Sequence, residues 1–301
     1  MLRLMIAGLL VPAGVAAATP SVVAKISTKG RLVCGTAAFG RYLYAAEYGS
    51  NAISRIDPAT NRVLKKAYVG SGPCGVVAGS GALWVENFNE NTIARVKPAT
   101  LTVVKQIPVG SQPWAVEYAF GSVWSSDYGS GTVSRIDPAK NKVVKKIATG
   151  GHPACIRAGT DAVWVGSQYT GDVYRIDPAT NTVTTIHVGH TSELCVDAEP
   201  NAIWVSEDQD NTVTRIDPAT NQVVATIQVG THPADGDLGP DGLEWIPNLG
   251  DGTISRIDPA TNTVVDTLAA PAKPFVVRTF FGDAWVGDFG GTALWRLHVP
   301  T

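Results

Sequence analysis

A ten-residue phrase recurs along this chain and limits the folds open to it. It reads TVSRIDPAKN at 132–141, TVTRIDPATN at 212–221 and TISRIDPATN at 253–262. Its arginine returns at steps of 40 residues, once 41, at Arg55, Arg95, Arg135, Arg175, Arg215, Arg256 and Arg296. An aromatic residue lies eleven positions before each arginine: Tyr44, Trp84, Trp124, Trp164, Trp204, Trp245 and Trp285. Seven self-similar units of this period predict a solenoid, a propeller or a repeat array.

Each unit divides into four short, Val-, Ile- and Thr-rich segments, which we label strands A to D. In the second unit they are 75–79, 82–87, 92–97 and 102–109. Glycine (31) and proline (19) are plentiful and only 17% of residues are charged, which favours many turns and little exposed helix. Four short strands per unit are typical of a β-propeller blade. The sequence therefore predicts an all-β, seven-bladed β-propeller.

The two ends of the chain complement each other. The last unit, 272–298, has candidates for strands A, B and C and none for D, whereas SVVAKIS at 21–27 resembles D strands such as TVVKQIPVG. An N-terminal strand that completes the last blade would close the ring and remove two sheet edges. The predicted blades are 31–69, 72–109, 112–149, 152–189, 192–229, 232–270, and 272–298 with 21–28.

Residues 1–18 have the pattern of a secretory signal peptide. Arg3 precedes an apolar run that is short for a bilayer span, and Ala16 to Ala18 provide a small-residue cleavage site. An uncleaved anchor is the alternative. We expect a secreted or periplasmic, monomeric protein that starts near Thr19 and has no membrane span in its mature part. A net charge of −2 and a pI of about 6.2 argue against nucleic acid as a partner.

The repeated phrase itself is expected to be structural. Its Asp, Pro and Asn suit the turn between strands C and D, because Asp accepts backbone N–H bonds, Pro fixes φ and Asn tolerates the left-handed conformation. Arg135 and Asp137 lie two apart on one strand face and are expected to pair. The aromatic residue of strand B is expected to be buried between blades.

The run GSVWSSDYGSGTVSRIDPAKNKVVKKIATG and its six relatives resemble YVTN-type β-propeller repeats, over residues 21–298. The superfamily also includes virginiamycin B lyases. The resemblance implies the architecture and leaves lyases, lactonase-like enzymes and binding modules open as functions.

The resemblance to the lyases implies histidines directly after the proline that opens strand A, a glutamate at the end of strand B, and a magnesium ion. The matching positions here hold other residues: Cys34, Cys74, Trp114, Ala154, Leu194, Asp235 and Phe275. Glu47 and Glu207 do end strand B, and His152 and His232 lie shortly before the expected positions, Ala154 and Asp235. These four are the catalytic candidates if the chain is a metal-dependent lyase or a lactonase-type hydrolase.

The variable positions at one end of the predicted channel are the candidates for ligand binding. We expect an acidic and aromatic funnel there, formed by Tyr48, Asn87, Phe88, Trp114, Asp127, Tyr128, Asp235, Asn248, Phe275 and Asp288. It could bind a small or cationic ligand, a peptide or a sugar, or hold Ca²⁺ or Mg²⁺, or be a solvated rim. No cofactor is required by any motif.

One strand-A position, seven residues before the strand-B aromatic, is charged in several blades. Successive blades hold Val77, Glu117, Arg157, Asp197, Leu238 and Arg278 there. If Glu117, Arg157 and Asp197 face the channel, they could neutralise one another; a general acid/base site is the alternative.

The four cysteines occupy equivalent strand-A positions in neighbouring blades. Cys34 and Cys74 lie in blades 1 and 2, and Cys155 and Cys195 in blades 4 and 5. Equivalent inner-strand Cα atoms of neighbouring blades come within disulfide reach, so we predict Cys34–Cys74 and Cys155–Cys195, with buried free thiols as the alternative. Our leading functional hypothesis is a secreted module that binds a small ligand, peptide or protein at the channel mouth. A lyase or lactonase and a cell-surface scaffold are the alternatives.

Overall fold

A computed structural model describes residues 19–189, 194–270 and 273–300. The predicted signal peptide, 1–18, lies outside the described residues. The strands form seven antiparallel sheets of four strands each, which confirms the predicted seven-bladed propeller. Among the described residues, no helix is long and apolar enough to cross a membrane.

The strands of the first three blades follow the order A to D in the chain. Blade 1 contains β2 (Val33–Phe39), β3 (Tyr42–Glu47), β4 (Ala52–Asp57) and β5 (Arg62–Tyr68). Blade 2 contains β6 (Pro73–Gly79), β7 (Ala82–Asn87), β8 (Thr92–Lys97) and β9 (Thr102–Pro108). Blade 3 contains β10 (Pro113–Ala119), β11 (Ser122–Asp127), β12 (Thr132–Asp137) and β13 (Lys142–Ala148).

The next three blades repeat this order. Blade 4 contains β14 (His152–Ala158), β15 (Val163–Gln168), β16 (Asp172–Ile176) and β17 (Val183–His187). Blade 5 contains β18 (Leu194–Glu199), β19 (Ala202–Glu207), β20 (Thr212–Asp217) and β21 (Gln222–Gln228). Blade 6 contains β22 (Asp237–Leu238), β23 (Glu244–Asn248), β24 (Thr253–Asp258) and β25 (Thr263–Ala269).

Blade 7 joins the two ends of the chain. It contains β26 (Pro274–Phe280), β27 (Asp283–Asp288), β28 (Ala293–His298) and, as its outer strand, β1 (Ser21–Ser27). The β1–β28 register runs from Ser21 opposite His298 to Ser27 opposite Ala293. Ile26 of β1 is only 3% exposed. The predicted closure of the ring by the N-terminal strand is therefore confirmed.

The core lies between neighbouring blades. The strand-B aromatic residues are almost fully buried in all seven blades, as expected. An arginine guanidinium of strand C lies over six of the tryptophan rings, for example Arg135 over Trp124 at 4.7 Å. Each such pair combines a buried aromatic surface with a cation–π contact.

The same arginines explain why the phrase is repeated. Arg135 donates to the Pro178 carbonyl at 2.6 Å and to Asn181 Oδ1 at 2.9 Å, both in the turn of the next blade. Arg95 and Arg215 make the same pair of bonds to their following blades, and Arg296 of blade 7 makes them to blade 1. The phrase thus supplies donor and acceptor for contacts between blades.

Within the turn, Asp and Asn behave as the sequence predicts, whereas the arginine does not. The Asp137 carboxylate accepts from the backbone N–H groups of Ala139 and Lys140, and Asn141 has a φ of 52°. The expected pairing of Arg135 with Asp137 is wrong, because the guanidinium reaches the next blade instead.

Both predicted disulfides are present. Cys34–Cys74 joins the inner strands of blades 1 and 2, with a Cα–Cα distance of 5.0 Å. Cys155–Cys195 joins those of blades 4 and 5, with a Cα–Cα distance of 4.9 Å. Each pair therefore ties two neighbouring blades at the wall of the channel.

Candidate functional site

The central channel is filled unevenly. On the side of blades 1 and 2, strand A carries small residues, including Gly35, Ala37, Gly75 and Ala78. They leave a cavity of about 330 Å³, which we call the channel cavity. Its opposite wall is built from charged side chains: Glu117, Arg157, Asp235, Asp237 and Arg278. The channel cavity thus has one apolar and one ionic wall.

Blade 6 departs from the repeat at its inner strand. β22 has only two residues, and the segment before it pairs sideways with blade 7. The Asp235 N–H donates to the Phe275 carbonyl at 3.1 Å, and the Asp235 carbonyl accepts from the Val277 N–H at 2.9 Å. Gly236 permits this path, since a Cβ there would lie 2.7 Å from the Trp245 carbonyl oxygen. This arrangement turns Asp235 into the channel.

The same departure shifts the register by one residue. Asp237, and not Leu238, lies opposite Trp245, in the position that Arg157 takes opposite Trp164. The assignment of Leu238 to the charged position is therefore wrong. The spacing changes because blade 6 contains the extra residue that makes one repeat step 41.

Asp235 is the centre of the channel charges. Arg157 Nη2 donates to Asp235 Oδ1 at 2.8 Å and to Oδ2 at 2.9 Å, and Arg278 Nη2 donates to Oδ2 as well. Arg157 Nε lies 3.7 Å from Asp197 Oδ1. Three of the four predicted channel charges therefore lie in one network. Asp235 joins Arg157 to Arg278, and Arg157 in turn lies beside Asp197. Asp235, which the sequence predicts at the channel mouth, lines the channel cavity and belongs to this network.

Carboxyl groups outnumber guanidinium groups in this network. Burial, opposed by Arg157, raises the pKa of Asp235 to about 6. Burial together with the neighbouring Asp237 raises the pKa of Asp197 well above its usual range. Burial and then the neighbouring Asp197 do the same for Glu244, whose two buried carboxyl oxygens have no hydrogen-bond partner among the described residues. Two neighbouring buried carboxyl groups cannot both ionise easily, which favours the protonated form of Asp197 or Glu244.

The fourth predicted channel charge, Glu117, lines the cavity on the blade 3 side. Its Oε1 accepts the Tyr118 N–H at 2.7 Å. Burial raises the pKa of Glu117, and the positive charge of Arg157 opposes that effect. Glu117 is therefore close enough to Arg157 to feel its positive charge.

The ends of strand B do not form the expected acidic rim. Glu47, Asn87, Asp127, Glu207 and Asn248 are buried. The loop that enters the blade from the preceding one covers Asp127 and Asn248, because a Cβ on Gly110 or Gly230 would lie 2.5 Å from the side chain of Asp127 or Asn248, respectively. These five side chains are therefore not exposed at the channel mouth.

Their hydrogen bonds run outward, to strands C and D. Glu47 accepts from Ser54 at 2.5 Å and pairs with Lys66. Asn87 donates to Thr92 and Gln106, Asp127 accepts from Ser125, Thr132 and Ser134, and Asn248 donates to Thr253 and Ser255. The remaining predicted residue, Asp288, accepts from the Gly290 N–H at 3.1 Å and caps its own turn.

The aromatic residues that follow strand B reach the mouth, together with Trp114 and Phe275 of strand A. The rings of Tyr48, Phe88, Trp114 and Tyr128 form a row across blades 1 to 3, with centroid separations of 6.4, 5.8 and 5.5 Å. In blade 7, Phe275 and Phe289 lie 4.7 Å apart. Tyr48, Phe88, Trp114, Phe275 and Phe289, with Cys74 and Glu86, line a second cavity of about 220 Å³, which we call the mouth pocket.

The two candidate histidines are exposed and lie outside the walls of both cavities. His152 extends the aromatic row, with its ring 4.7 Å from that of Tyr128. His232 Nδ1 lies 3.0 Å from Asp208 Oδ1. Glu47 forms an ion pair with Lys66, and the two histidines lie on different blades. These residues therefore do not fit a shared metal site. Within the described ranges, no group of three or more His, Cys, Asp or Glu side chains is arranged to hold a metal ion.

Two site residues were missed from the sequence, although a signal for each was available. At the position two residues after the strand-B aromatic, Glu86 stands where the other blades have Ala46, Ser126, Gly166, Ser206, Pro247 and Gly287. At the position directly before the strand-B aromatic, Glu244 stands where the other blades have Leu43, Leu83, Val123, Val163, Ile203 and Ala284. Each is the single charged residue of its column.

Glu86 lies at the wall of the mouth pocket and is fully buried. Its Oε1 accepts the backbone N–H groups of Cys74 at 2.9 Å and Gly75 at 2.5 Å. Burial raises the pKa of Glu86 well above its usual range, against the effect of these two bonds.

No family model matches the chain, and no curated protein matches its sequence significantly. Solved structures do match in fold. A streptogramin B lyase structure has a TM-score of 0.82 at 16% identity and covers 92% of this chain and 97% of its own. A hydrazine synthase structure from Kuenenia stuttgartiensis has a TM-score of 0.81 at 15% identity, over 97% and 99% of the two chains.

A third match is a catalytically inactive histidine-to-alanine variant of virginiamycin B lyase from Staphylococcus aureus with quinupristin. Its TM-score is 0.80 at 15% identity, over 92% of this chain and 99% of its own. At such identities the likeness concerns the fold alone. The chain is a seven-bladed β-propeller of the same architecture as these lyases.

Proposed function

We propose that this chain is a binding module that holds a small ligand at the mouth of the propeller channel. The observation that supports it is the continuity of the two cavities. Cys74, Trp114 and Phe275 border both the mouth pocket and the channel cavity. A ligand could therefore stack on the rings and extend a polar group toward the ionic wall. The channel cavity alone, about 330 Å³, falls in the range of small-molecule sites, about 300–1,000 Å³.

The half-buried aromatic side chains suit this role. Aromatic rings offer a large apolar area and prefer offset or edge-to-face partners, so they accept flat or apolar ligand parts. Glu117 and the Arg157–Asp235 pair then provide hydrogen-bonding groups at a fixed position deeper in the channel. This division into an apolar opening and a few polar groups is usual for ligand sites.

A metal-dependent lyase or a lactonase-type hydrolase is the second candidate, favoured by the fold of the lyase structures above. The positions of the candidate catalytic residues speak against it. Glu47 and Glu207 are buried, and His152 and His232 lie outside the walls of the cavities. General acid/base catalysis requires a group within hydrogen-bond reach of the substrate.

A thermal-shift screen with a small-molecule library tests the proposal. Ligands that raise the melting temperature of the unmodified protein are retested on Trp114→Ala and on Tyr68→Ala, whose ring is 62% exposed on an outer strand. We expect the shift to be lost in Trp114→Ala and kept in Tyr68→Ala. Hits that stabilise both variants equally would place binding elsewhere and refute the proposal.

Incubation with quinupristin and Mg²⁺, followed by chromatography, separates the two candidates. Binding without conversion agrees with a binding module. Turnover that is lost in His152→Ala or His232→Ala would favour the lyase. We also propose that the protein works outside the cytoplasm, since the two disulfides suit an oxidising compartment.

A further inference from the structure

We propose that the ligand of the mouth pocket carries an alkylammonium group, and that Glu86 is its counter-ion. This inference rests on the proposed function and names the chemical class of the ligand. It depends on two independent features of the pocket: its aromatic walls and one buried carboxylate with a free oxygen.

The walls provide the first feature. Five aromatic side chains from blades 1, 2, 3 and 7 surround the pocket, and no lysine or arginine is among the described residues that line it. The face of an aromatic ring carries negative potential and attracts cations within about 6 Å of its centroid. Several rings around one small space favour an ammonium group that also carries apolar substituents, because such a group gains both the electrostatic and the apolar contact.

Glu86 provides the second feature. Its Oε1 is held by the N–H groups of Cys74 and Gly75, which fixes the direction of the carboxyl group. Its Oε2 is buried and has no hydrogen-bond partner among the described residues. Burial without a charged partner favours the protonated carboxyl group of Glu86, and a cation bound beside it would favour the ionised form.

The repeat shows that Glu86 is not needed for the blade to fold. The equivalent position holds Ala, Ser, Gly or Pro in the other six blades. Ser126 at this position also bonds the neighbouring strand A, at the Ala115 N–H, so a small side chain can satisfy the same backbone. The carboxyl group of Glu86 is therefore an addition to the scaffold, on a residue that lines the mouth pocket.

The charge of the ligand can be separated from its shape with two matched probes. Choline chloride and 3,3-dimethylbutan-1-ol have the same shape and differ in the charge of the quaternary centre. Binding of each to the full-length protein is measured by isothermal titration calorimetry, with sodium chloride as the ionic-strength control. We expect choline to bind at least about tenfold more tightly than the alcohol, as cation–π and ion-pair contacts predict.

Two variants place the effect in the mouth pocket. Glu86→Gln keeps the size of the side chain and should weaken choline binding about tenfold while leaving binding of the alcohol unchanged. Trp114→Ala should weaken binding of both probes. If Glu86→Gln does not fold, the comparison of the two probes on the unmodified protein still decides.

Equal affinities for the two probes, no choline binding, or undiminished choline binding by Glu86→Gln would each overturn the inference. Failure of the proposed function would look different. If the library screen gives neutral or anionic ligands that depend on Trp114, only the alkylammonium class is wrong. If no ligand depends on Trp114, the binding site itself is wrong.

Discussion

Arg157 of blade 4 donates to both carboxylate oxygens of Asp235 in blade 6, at 2.8 and 2.9 Å, so this ion pair reaches past blade 5. Arg278 of blade 7 shares the same carboxylate. The contact links non-adjacent blades across the channel and forms the ionic wall of the cavity. Ion pairs near the axis therefore connect blades within the channel. Farther from the axis, Arg95, Arg135, Arg215 and Arg296 connect each blade to the turn of the next.

Replacing Arg157 by Met should destabilise the protein strongly. The buried carboxyl groups of Asp235 and Asp197 would lose the guanidinium group that lies between them. Breaking a buried pair in this way costs about 3–5 kcal/mol. Urea denaturation measures the difference. Asp161→Asn is the control, because Asp161 pairs with Arg175 at the surface, where such pairs contribute about 0–1 kcal/mol. Equal effects of the two substitutions would contradict the role of Arg157.

The buried carboxyl groups predict that stability falls as pH rises. The pKa of Asp235 is raised to about 6, and those of Asp197 and Glu244 are raised well above the usual range. The folded state thus binds these protons more tightly than the unfolded state. This contribution is complete below about pH 4 and is lost as pH rises through about 6 and beyond. Melting temperatures measured across this window should decline.

Glu244→Leu tests the origin of that slope. Leucine is the residue that Leu43 and Leu83 place at the equivalent position. The variant should melt at a higher temperature than the unmodified protein at about pH 8 and show a weaker pH dependence. Asp137→Asn, in an exposed turn, should leave the slope unchanged in this window, because the pKa of Asp137 is lowered. A Glu244→Leu variant that is less stable at that pH would mean that the carboxylate is compensated by a group we have not identified.

Each disulfide should contribute substantially to stability. Both close a loop of 40 residues, for which the loss of chain entropy in the unfolded state corresponds to about 4 kcal/mol. Paired Cys→Ser variants, Cys34 with Cys74 and Cys155 with Cys195, should each lose a large part of that free energy of unfolding. Alkylation of the unfolded protein without reductant should leave its mass unchanged. Labelling of all four cysteines without reductant would show that the disulfides are absent.

The closure of the ring can be tested within β1. Ile26→Ala removes a side chain that is 3% exposed and should lower the free energy of unfolding by about 2–5 kcal/mol. Val23→Ala is the control, since Val23 is 50% exposed on the same strand and its loss should change stability by about 0.5 kcal/mol. If both substitutions have the same small effect, β1 does not complete blade 7 in solution.

The period of the sequence predicted the architecture because every blade repeats the same contacts. The strand-B tryptophans, the turn asparagines, the closure by β1 and both disulfides follow from equivalent positions in neighbouring units. Once the number of blades and the strand order are known, equivalent residues lie side by side around the axis. The aromatic residues after strand B were expected at the mouth for the same reason.

Other parts of the site could not be read from periodicity. Whether Asp127 or the residue after it faces the mouth depends on the loop that covers Asp127. The close approach of Gly110 to Asp127 in that loop is a contact that periodicity does not reveal. The sideways pairing of Asp235 with Phe275 and Val277 requires knowledge of how two blades pack. Glu86 and Glu244 could have been found from their own columns, because each is the one charged residue there.

The position of the ligand site is the central claim, and a crystallographic fragment soak tests it most directly. Crystals of the protein are soaked with a panel of small aromatic and aliphatic fragments, amines included. We predict that bound fragments concentrate in the mouth pocket, in contact with Phe88, Trp114 and Phe275. Fragments that bind elsewhere on the propeller, with only water between these rings, would contradict the proposal.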